Sequence, residues 1–382
     1  MHSRAAYLAG TLPLGQLKSA GQVLRKKNWL IQNGVDWIPV GDFCLSERVL
    51  EMSFMLGNYP RVRGDVELHP VDALMYVERD LDSSLGLSKN YGFASFSCTN
   101  KRWFSPRQRY IAPELLRGTQ FHANPAELVS HLREAQQLGI NAKPVIIGPL
   151  TYLALGVVLD RSDPLDLLGR LIKEYAEILH CLASLGVEWV QIDEPILTIP
   201  LDQAWRCAFN KTYHLLGQSP IKIMLTTYFG QIGSNRCLAA NLPVAGIHID
   251  ISNGIEDLQS LLRLIRKDLI VSVGCIDGRK IWKADLVQAL DILEPLWQRL
   301  GNRLWLAPSC SLVHVPVDVD LAYQMSSEIK MWVSFAKQKL GELKILALAL
   351  SEGRKSFNDI LMNNQFELSM PVMAVAEMAS VR

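Results

Sequence analysis

The chain has no Cys-x-x-Cys pair, no Gly-x-Gly-x-x-Gly and no phosphate-loop pattern among its scattered glycines. A cysteine-paired zinc site and a dinucleotide or nucleotide fingerprint therefore drop out of consideration. Met1 to Leu12 has no basic start followed by an apolar core, so no secretory leader is expected. The longest uncharged stretch, Pro144 to Leu159, contains Gly148-Pro149 and falls short of the ~20 apolar residues a spanning helix needs. No membrane segment is expected. An excess of charge of one sign is also missing. The 39 basic and 38 acidic residues leave a net charge of +1, which argues against a general polyanion binder, so no nucleic-acid partner is expected. The seven cysteines are odd in number and widely spaced, as expected of reduced thiols in a cytoplasmic protein rather than a disulfide framework.

What the chain does have is seven short apolar runs that break off into polar residues. Ile38-Pro39-Val40 leads to Gly41-Asp42, Val145-Ile146-Ile147 to Gly148-Pro149, and Val187 to Ile192 runs into Asp193-Glu194-Pro195. Ile223-Met224-Leu225 meets Thr226-Thr227-Tyr228, Ile247-His248-Ile249 ends at Asp250, Val271 to Ile276 ends at Asp277, and Leu304 to Ala307 reaches Pro308-Ser309-Cys310. Parallel strands buried on both faces read this way. Helical signals fill the gaps: Asn124-Pro125-Ala126-Glu127 up to Gly139, Asp163-Pro164 up to Gly186, Glu256 to Lys267, Asp285 to Leu300 interrupted at Pro295, and Glu328 to Leu350. The alternation predicts an α/β fold of the (β/α)8, TIM-type barrel class, whose chemistry sits at the C-terminal ends of the strands. With 382 residues, the expected organisation is one barrel domain over 1–350, a long excursion at 44–114 and a weakly structured tail at 351–382. The excursion is expected to contain a helix (Leu45 to Leu56) and a short strand (Tyr110 to Pro113).

The strand ends supply the site candidates. Asp193-Glu194 can hold a substrate ammonium, position a metal-bound water or act as acid and base; equally, it can cap a helix or pair with a lysine. Cys310 can bind metal or attack a carbon centre as a thiolate. Its neighbours at the rim are Asp42, Thr227 and Asp250, too few ligands for a catalytic zinc, so no metal site is expected. His248, between isoleucines, reads as a satisfied core histidine. Lys101-Arg102-Trp103-Phe104 with Arg107, Arg109 and Tyr110 can stack a flat heterocycle and pair its carboxylates, touch a single strand, or be a solvated loop.

Taken in order, several of these words resemble the N-terminal half of cobalamin-independent methionine synthase. They include Asp36 to Phe43, Lys143 to Thr151, Glu188 to Pro195, Leu225 to Phe229, Gly278 to Leu286, Ser309 to His314 and Lys330 to Leu340. The resemblance covers roughly Ala6 to Arg354. It implies two joined (β/α)8 barrels and methyl transfer from 5-methyltetrahydropteroyl-polyglutamate to the zinc-bound thiolate of homocysteine. It implies that zinc belongs to a C-terminal barrel, which this chain ends before reaching. The corresponding positions here are Leu225, Thr227, Asp250 and Cys310, and leucine cannot ligate zinc.

Two further departures matter. The family's first strand precedes the point where the match begins, so a barrel short of its first strand is expected, with open edges. In the folate-contacting loop Arg102 stands where the resemblance implies a substrate-binding lysine, and the family's Asn-Tyr-His is absent. The expected function is the N-terminal half of a methyltransferase in methionine biosynthesis. Arg102, Asp193 and Glu194 are the expected substrate contacts, Asp42, Asp250 and Cys310 line the rim, and this chain contributes no catalytic residue or cofactor of its own. Expected partners are the methylfolate polyglutamate and a zinc-bearing C-terminal barrel. The rival readings are a retired barrel that binds a small molecule or protein, and an independent enzyme using Asp193, Asp250 and Cys310.

Overall fold

The computed structural model describes residues 14–43, 47–59, 100–102, 109–252 and 254–380. They fall into two compact units, Met1–Met224 with Leu242–Val244, and Leu225–Asn241 with Ala245–Arg382. The strands in chain order are β1 (Ile38–Val40), β2 (Asn100–Arg102), β3 (Arg109–Ile111), β4 (Glu114–Leu115), β5 (Ala142–Ile147), β6 (Val157–Val158), β7 (Trp189–Asp193), β8 (Lys222–Thr226), β9 (Gly246–Asp250), β10 (Ile270–Ile276) and β11 (Leu304–Pro308). Every one of the seven apolar runs forms a strand. The architecture is mixed α/β with these seven in parallel arrangement.

In the first unit the neighbours run β1-β5-β7 and then the start of β8, where the Lys222 amide donates to the Glu188 carbonyl. Ile38 pairs with Ala142, Val145 with Gln191 and Ile147 with Asp193. Val145, Ile146 and Ile147 are all buried, because a parallel strand covered on both faces has no polar side. The Asp163 side chain caps a 3-10 turn (Pro164–Leu167) that runs into the helix Leu168–Ser184. That helix buries Leu171, Ile172, Tyr175, Ile178, Leu179 and Leu182, the stripe its sequence period requires. It stops before Gly186, whose φ of +76° suits a residue without Cβ. Of the excursion, the described parts are a helix (Arg48–Met55) capped by Glu47, and β2 antiparallel to β3. The point about a missing first strand falls on residues before 14, outside the described residues.

In the second unit the end of β8 is followed by β9-β10-β11, with Val271 opposite both Ile247 and Leu304. A register shift lies between Gly274 and Ile276, directly before Asp277. Such irregularities re-aim side chains at sheet rims.

Three expectations are corrected here. The helix Leu286–Leu300, capped by Asp285, continues through Pro295. Its buried face of Leu286, Leu290, Leu293, Leu296 and Leu300 outweighs one missing backbone bond. The helix expected over 328–350 is two, Ser327–Trp332 and Ala336–Glu352. The break falls where Val333 bridges Trp282 in extended form and Val333 and Phe335 enter a small core with Val319. The tail is not weakly structured but a 3-10 turn (Arg354–Phe357) and a helix (Asn358–Ser380). Asn364 ties it down by accepting from the Leu286 amide and donating to the Ala284 carbonyl, and Lys283 pairs with Glu367 at 2.7 Å. These tertiary bonds leave no mark in the local sequence pattern.

Candidate functional site

The polar residues that follow the strands form one cluster in each unit. In the first unit, β7 ends at Asp193, which is 1% exposed and is bound by Arg48 (Nη2 to Oδ2, 2.9 Å) and by the Gln191 side chain (Nε2 to Oδ1, 2.9 Å). Lys143, two residues before Val145 on β5, points to the same side. Burial of its ammonium pushes its pKa down to about 8, and Asp193 and Asp42 pull the other way. Asp42 is half-buried at the end of β1. The geometry brings the expected Asp42 and Asp193 together with three groups sequence reasoning missed: Arg48, Lys143 and Gln191. One signal was available for Lys143, since a lysine inside an apolar strand, in phase with Val145, Ile147 and (across the sheet) Asp193, must face inward.

Glu194 sits beside this cluster but is otherwise engaged. Its carboxyl accepts from the amides of Leu150 (3.2 Å) and Thr151 (2.7 Å), from the Thr151 hydroxyl and from the Tyr213 hydroxyl (3.1 Å). Burial raises its pKa to about 7 despite those bonds. A side chain at Gly148 would run into the Glu194 carboxyl. Glu194 thus joins the end of β5 to the end of β7 and holds the start of the helix Pro149–Leu155. Of the two roles open to it in the sequence, this is the cap. Glu47 does similar work, accepting from the amides of Val49, Leu50 and Ile111, and burial raises it to about 7. Arg102 ends β2 opposite Arg109; the loop 103–108 lies outside the described residues.

In the second unit, β9 ends at Asp250, 5% exposed. Its Oδ1 accepts from the Ser252 amide (2.9 Å) and hydroxyl (2.6 Å), while its buried Oδ2 has no hydrogen-bond partner among the described residues. Burial raises its pKa, against Ser252 and the charge of Arg279. After β8, Phe229 holds a φ of +72°, unusual for a bulky residue. Its ring lies 4.6 Å from Tyr228 and 5.6 Å from His314 between centroids, and the Arg279 guanidinium stands 5.0 Å over it. Cys310 is 6% exposed, and burial pushes its thiol up to about 12. Its carbonyl and sulfur pack where any side chain at Gly278 would go. His248 is a satisfied core residue, with Nδ1 2.9 Å from the Ser272 hydroxyl and Nε2 3.4 Å from the Ser309 carbonyl.

These residues do not fit a zinc ion. Leu225 is buried and aliphatic, the Thr227 hydroxyl donates to the His248 carbonyl at 3.0 Å, and the Cys310 thiol holds its proton. Among the described residues no three His, Cys, Asp or Glu side chains converge as a metal site. The described cysteines, Cys181, Cys207, Cys237, Cys275 and Cys310, are free thiols, and Cys44 and Cys98 lie outside the described residues. No described helix is long and apolar enough to cross a membrane.

Comparison with known proteins agrees with the ordered words. The model of the family described as "Cobalamin-independent synthase, N-terminal domain" matches residues 2–301. A 5-methyltetrahydropteroyltriglutamate–homocysteine methyltransferase from Saccharophagus degradans is 43% identical over 94% of this chain and 47% of its own length. One of the same name from Nitrosomonas europaea is 42% identical over 93% of this chain and 46% of its own length. The chain therefore spans about half the length of the curated relatives it matches. Among solved structures, a B12-independent methionine synthase from Shewanella sp. W3-18-1 superposes with a TM-score of 0.60 at 14% identity, over 92% of each chain, a likeness of fold.

Proposed function

The chain belongs to the cobalamin-independent synthase family by its N-terminal domain, and from that premise we propose that it works as the N-terminal half of a methionine synthase. In this reading it supports methyl transfer from 5-methyltetrahydropteroyl-polyglutamate to homocysteine, in the cytoplasm, as a step of methionine biosynthesis. The observation that carries it is the family match over 2–301. The half-length coverage of the curated methyltransferases supports the same reading. The thiol-activating zinc is assigned to a C-terminal barrel, because the strand ends here offer no ligand set for it. Retirement to a binding module is not favoured, since similarity to proteins named as methyltransferases extends over nearly the whole chain.

This half contributes binding and orientation. The polyglutamate tail of the folate is a string of carboxylates, and a guanidinium pairs with a carboxylate through two parallel bonds. Arg102, which stands in the folate-contacting word, is the residue proposed to meet that tail. In the first-unit cluster, Arg48 and Lys143 hold the charge of Asp193 in place at the rim. Glu194 keeps the adjoining loop in register.

The test is reconstitution. The purified chain is mixed with homocysteine, zinc and 5-methyltetrahydropteroyl-triglutamate, with and without the C-terminal barrel of a relative. Methionine is expected only when both halves are present, with Arg102→Ala raising the KM for the triglutamate about ten-fold. If the second barrel adds no activity and no complex forms, the reading fails.

A further inference from the structure

The second unit carries a group of features to which the proposed methyl transfer assigns no role. The Arg279 guanidinium lies over the Phe229 ring, and among the described residues it makes no hydrogen bond or ion pair, so its N–H fork is uncommitted there. Asp250 is only 5% exposed, and one of its two oxygens has no donor among the described residues. Phe229, whose ring lies under Arg279, holds a backbone conformation that bulky residues avoid. The rings of Tyr228 and His314 flank that ring edge-on, and the Cys310 thiol is buried alongside Asp250, Asp277 and Arg279. Asp277, the other carboxylate there, differs in having a cation beside it: its Oδ1 accepts from the Arg279 and Lys280 amides, and its Oδ2, which also has no hydrogen bond among the described residues, lies 3.1 Å from the Lys280 ammonium.

Each feature asks for a complementary group. A stacked guanidinium with free N–H groups takes a carboxylate in bidentate fashion. A buried carboxylate oxygen with no donor takes an ammonium, because an orphaned buried acceptor is unfavourable until it is met. Aromatic edges and a neutral thiol favour an apolar or thioether side chain over a charged one. An α-amino acid carries a carboxylate, an ammonium and a side chain on one carbon. We propose that Arg279, Asp250 and the Phe229–His314 ring pair form a binding site for a free α-amino acid with an uncharged, apolar side chain. Arg279 holds its carboxylate and Asp250 Oδ2 its ammonium. No bond is made or broken there. The site lies wholly within the second unit and involves no metal.

The experiment is calorimetric titration of the full chain with L-methionine, then with N-acetyl-L-methionine, which lacks the ammonium, and L-methioninamide, which lacks the carboxylate. The expected result is one saturable site for L-methionine, with each analogue weaker by at least about ten-fold. Arg279→Ala is expected to bind L-methionine and L-methioninamide alike, and Asp250→Asn to bind L-methionine and N-acetyl-L-methionine alike. Arg279→Lys keeps the charge but not the fork and should fall between. The analogue series on the unaltered chain keeps the test valid if a variant fails to fold. The proposal is overturned if the unaltered chain shows no saturable binding below about 10 mM, or if it binds both analogues as well as L-methionine. No folate enters this titration, so its failure leaves the methyl-transfer reading standing, and failure of the reconstitution leaves this site standing.

Discussion

Glu194 in the first unit and Asp250 in the second are both buried carboxylates at the end of a parallel strand, and they do opposite things. Glu194 has both oxygens filled by four donors from three residues of its own unit. Asp250 has one oxygen filled twice by its neighbour Ser252 and the other left bare. A carboxylate surrounded by protein donors is part of the scaffold, because removing it strands those donors. One that is half satisfied is held in place and still has binding capacity. The same contrast runs through the cations. Arg48 is bound to Asp193, whereas Arg279 is stacked on a ring with its N–H groups unassigned. At the strand ends, then, Arg48 and Asp193 compensate each other in the first unit, whereas among the described residues Asp250 Oδ2 and the Arg279 guanidinium in the second have no hydrogen-bond partner.

The sharpest way to break this comparison is to delete each carboxylate and measure stability. Glu194→Leu leaves two amides and two hydroxyls buried without an acceptor. At roughly 1–3 kcal/mol for each stranded group, partly relieved by relaxation, a loss of about 4 kcal/mol is expected. Asp250→Asn keeps the acceptor facing Ser252 and removes only an unmatched charge, so a change within about 1 kcal/mol is expected. Urea midpoints followed by tryptophan fluorescence read both. Equal losses would mean that Asp250 is scaffold too.

A change of pH separates the units more gently. The folded pKa of Glu194, about 7, lies above its ordinary 4.5. Between those values the native chain keeps a proton that the unfolded chain releases. Stability from this group is therefore fully present below about pH 4.5 and is lost as pH rises toward 7. Glu47 has the same sign and the same window. Glu194→Gln cannot ionise, so its unfolding free energy should decline less between pH 5 and pH 7 than that of the unaltered chain, by about 1–2 kcal/mol. The comparison is then sharpened by Asp250→Asn, which has the same direction of effect, since the folded pKa of Asp250 is also raised. If Glu194→Gln leaves the slope unchanged, Glu194 is ionised in the fold, held by its four donors.

Much of this was legible beforehand. The seven runs gave the strands because a doubly covered strand must be apolar throughout, a constraint local enough to read. Asp193, Asp42, Asp250 and Cys310 were placed at strand ends for the same reason. Their partners were not legible. Arg48 reaches Asp193 from 145 residues away in sequence, and nothing near Arg48 announces it. Gly278-Arg279-Lys280 was visible as a word, but its meaning depends on Phe229 being turned under Arg279 by a positive φ. The tail helix was missed because Asn364, Gln365 and Glu367 anchor it by bonds to Ala284, Asp285, Leu286 and Lys283 rather than by an amphipathic stripe. Local period predicts elements. It does not predict which polar group will be satisfied.

The smallest expected effect concerns the thiols, and it decides whether the second unit's rim is a place for binding or for covalent chemistry. A nucleophilic Cys310 would need a pKa lowered by nearby cations. Burial dominates instead and pushes it up to about 12, with Asp250 and Asp277 adding to the rise and Arg279 only partly opposing it. Cys207 in the first unit and Cys237 in the second are exposed. Brief iodoacetamide treatment at pH 8, read by peptide mass spectrometry, should therefore label Cys207 and Cys237 at ordinary rates and Cys310 at least about a hundred-fold more slowly. The slow rate belongs to a neutral thiol packed against Gly278, which can line a site but cannot attack from it. If Cys310 were labelled as fast as Cys207, its thiolate would be populated at neutral pH. The unmatched charges of Asp250 and Arg279 would then have to be read as the surroundings of a nucleophile.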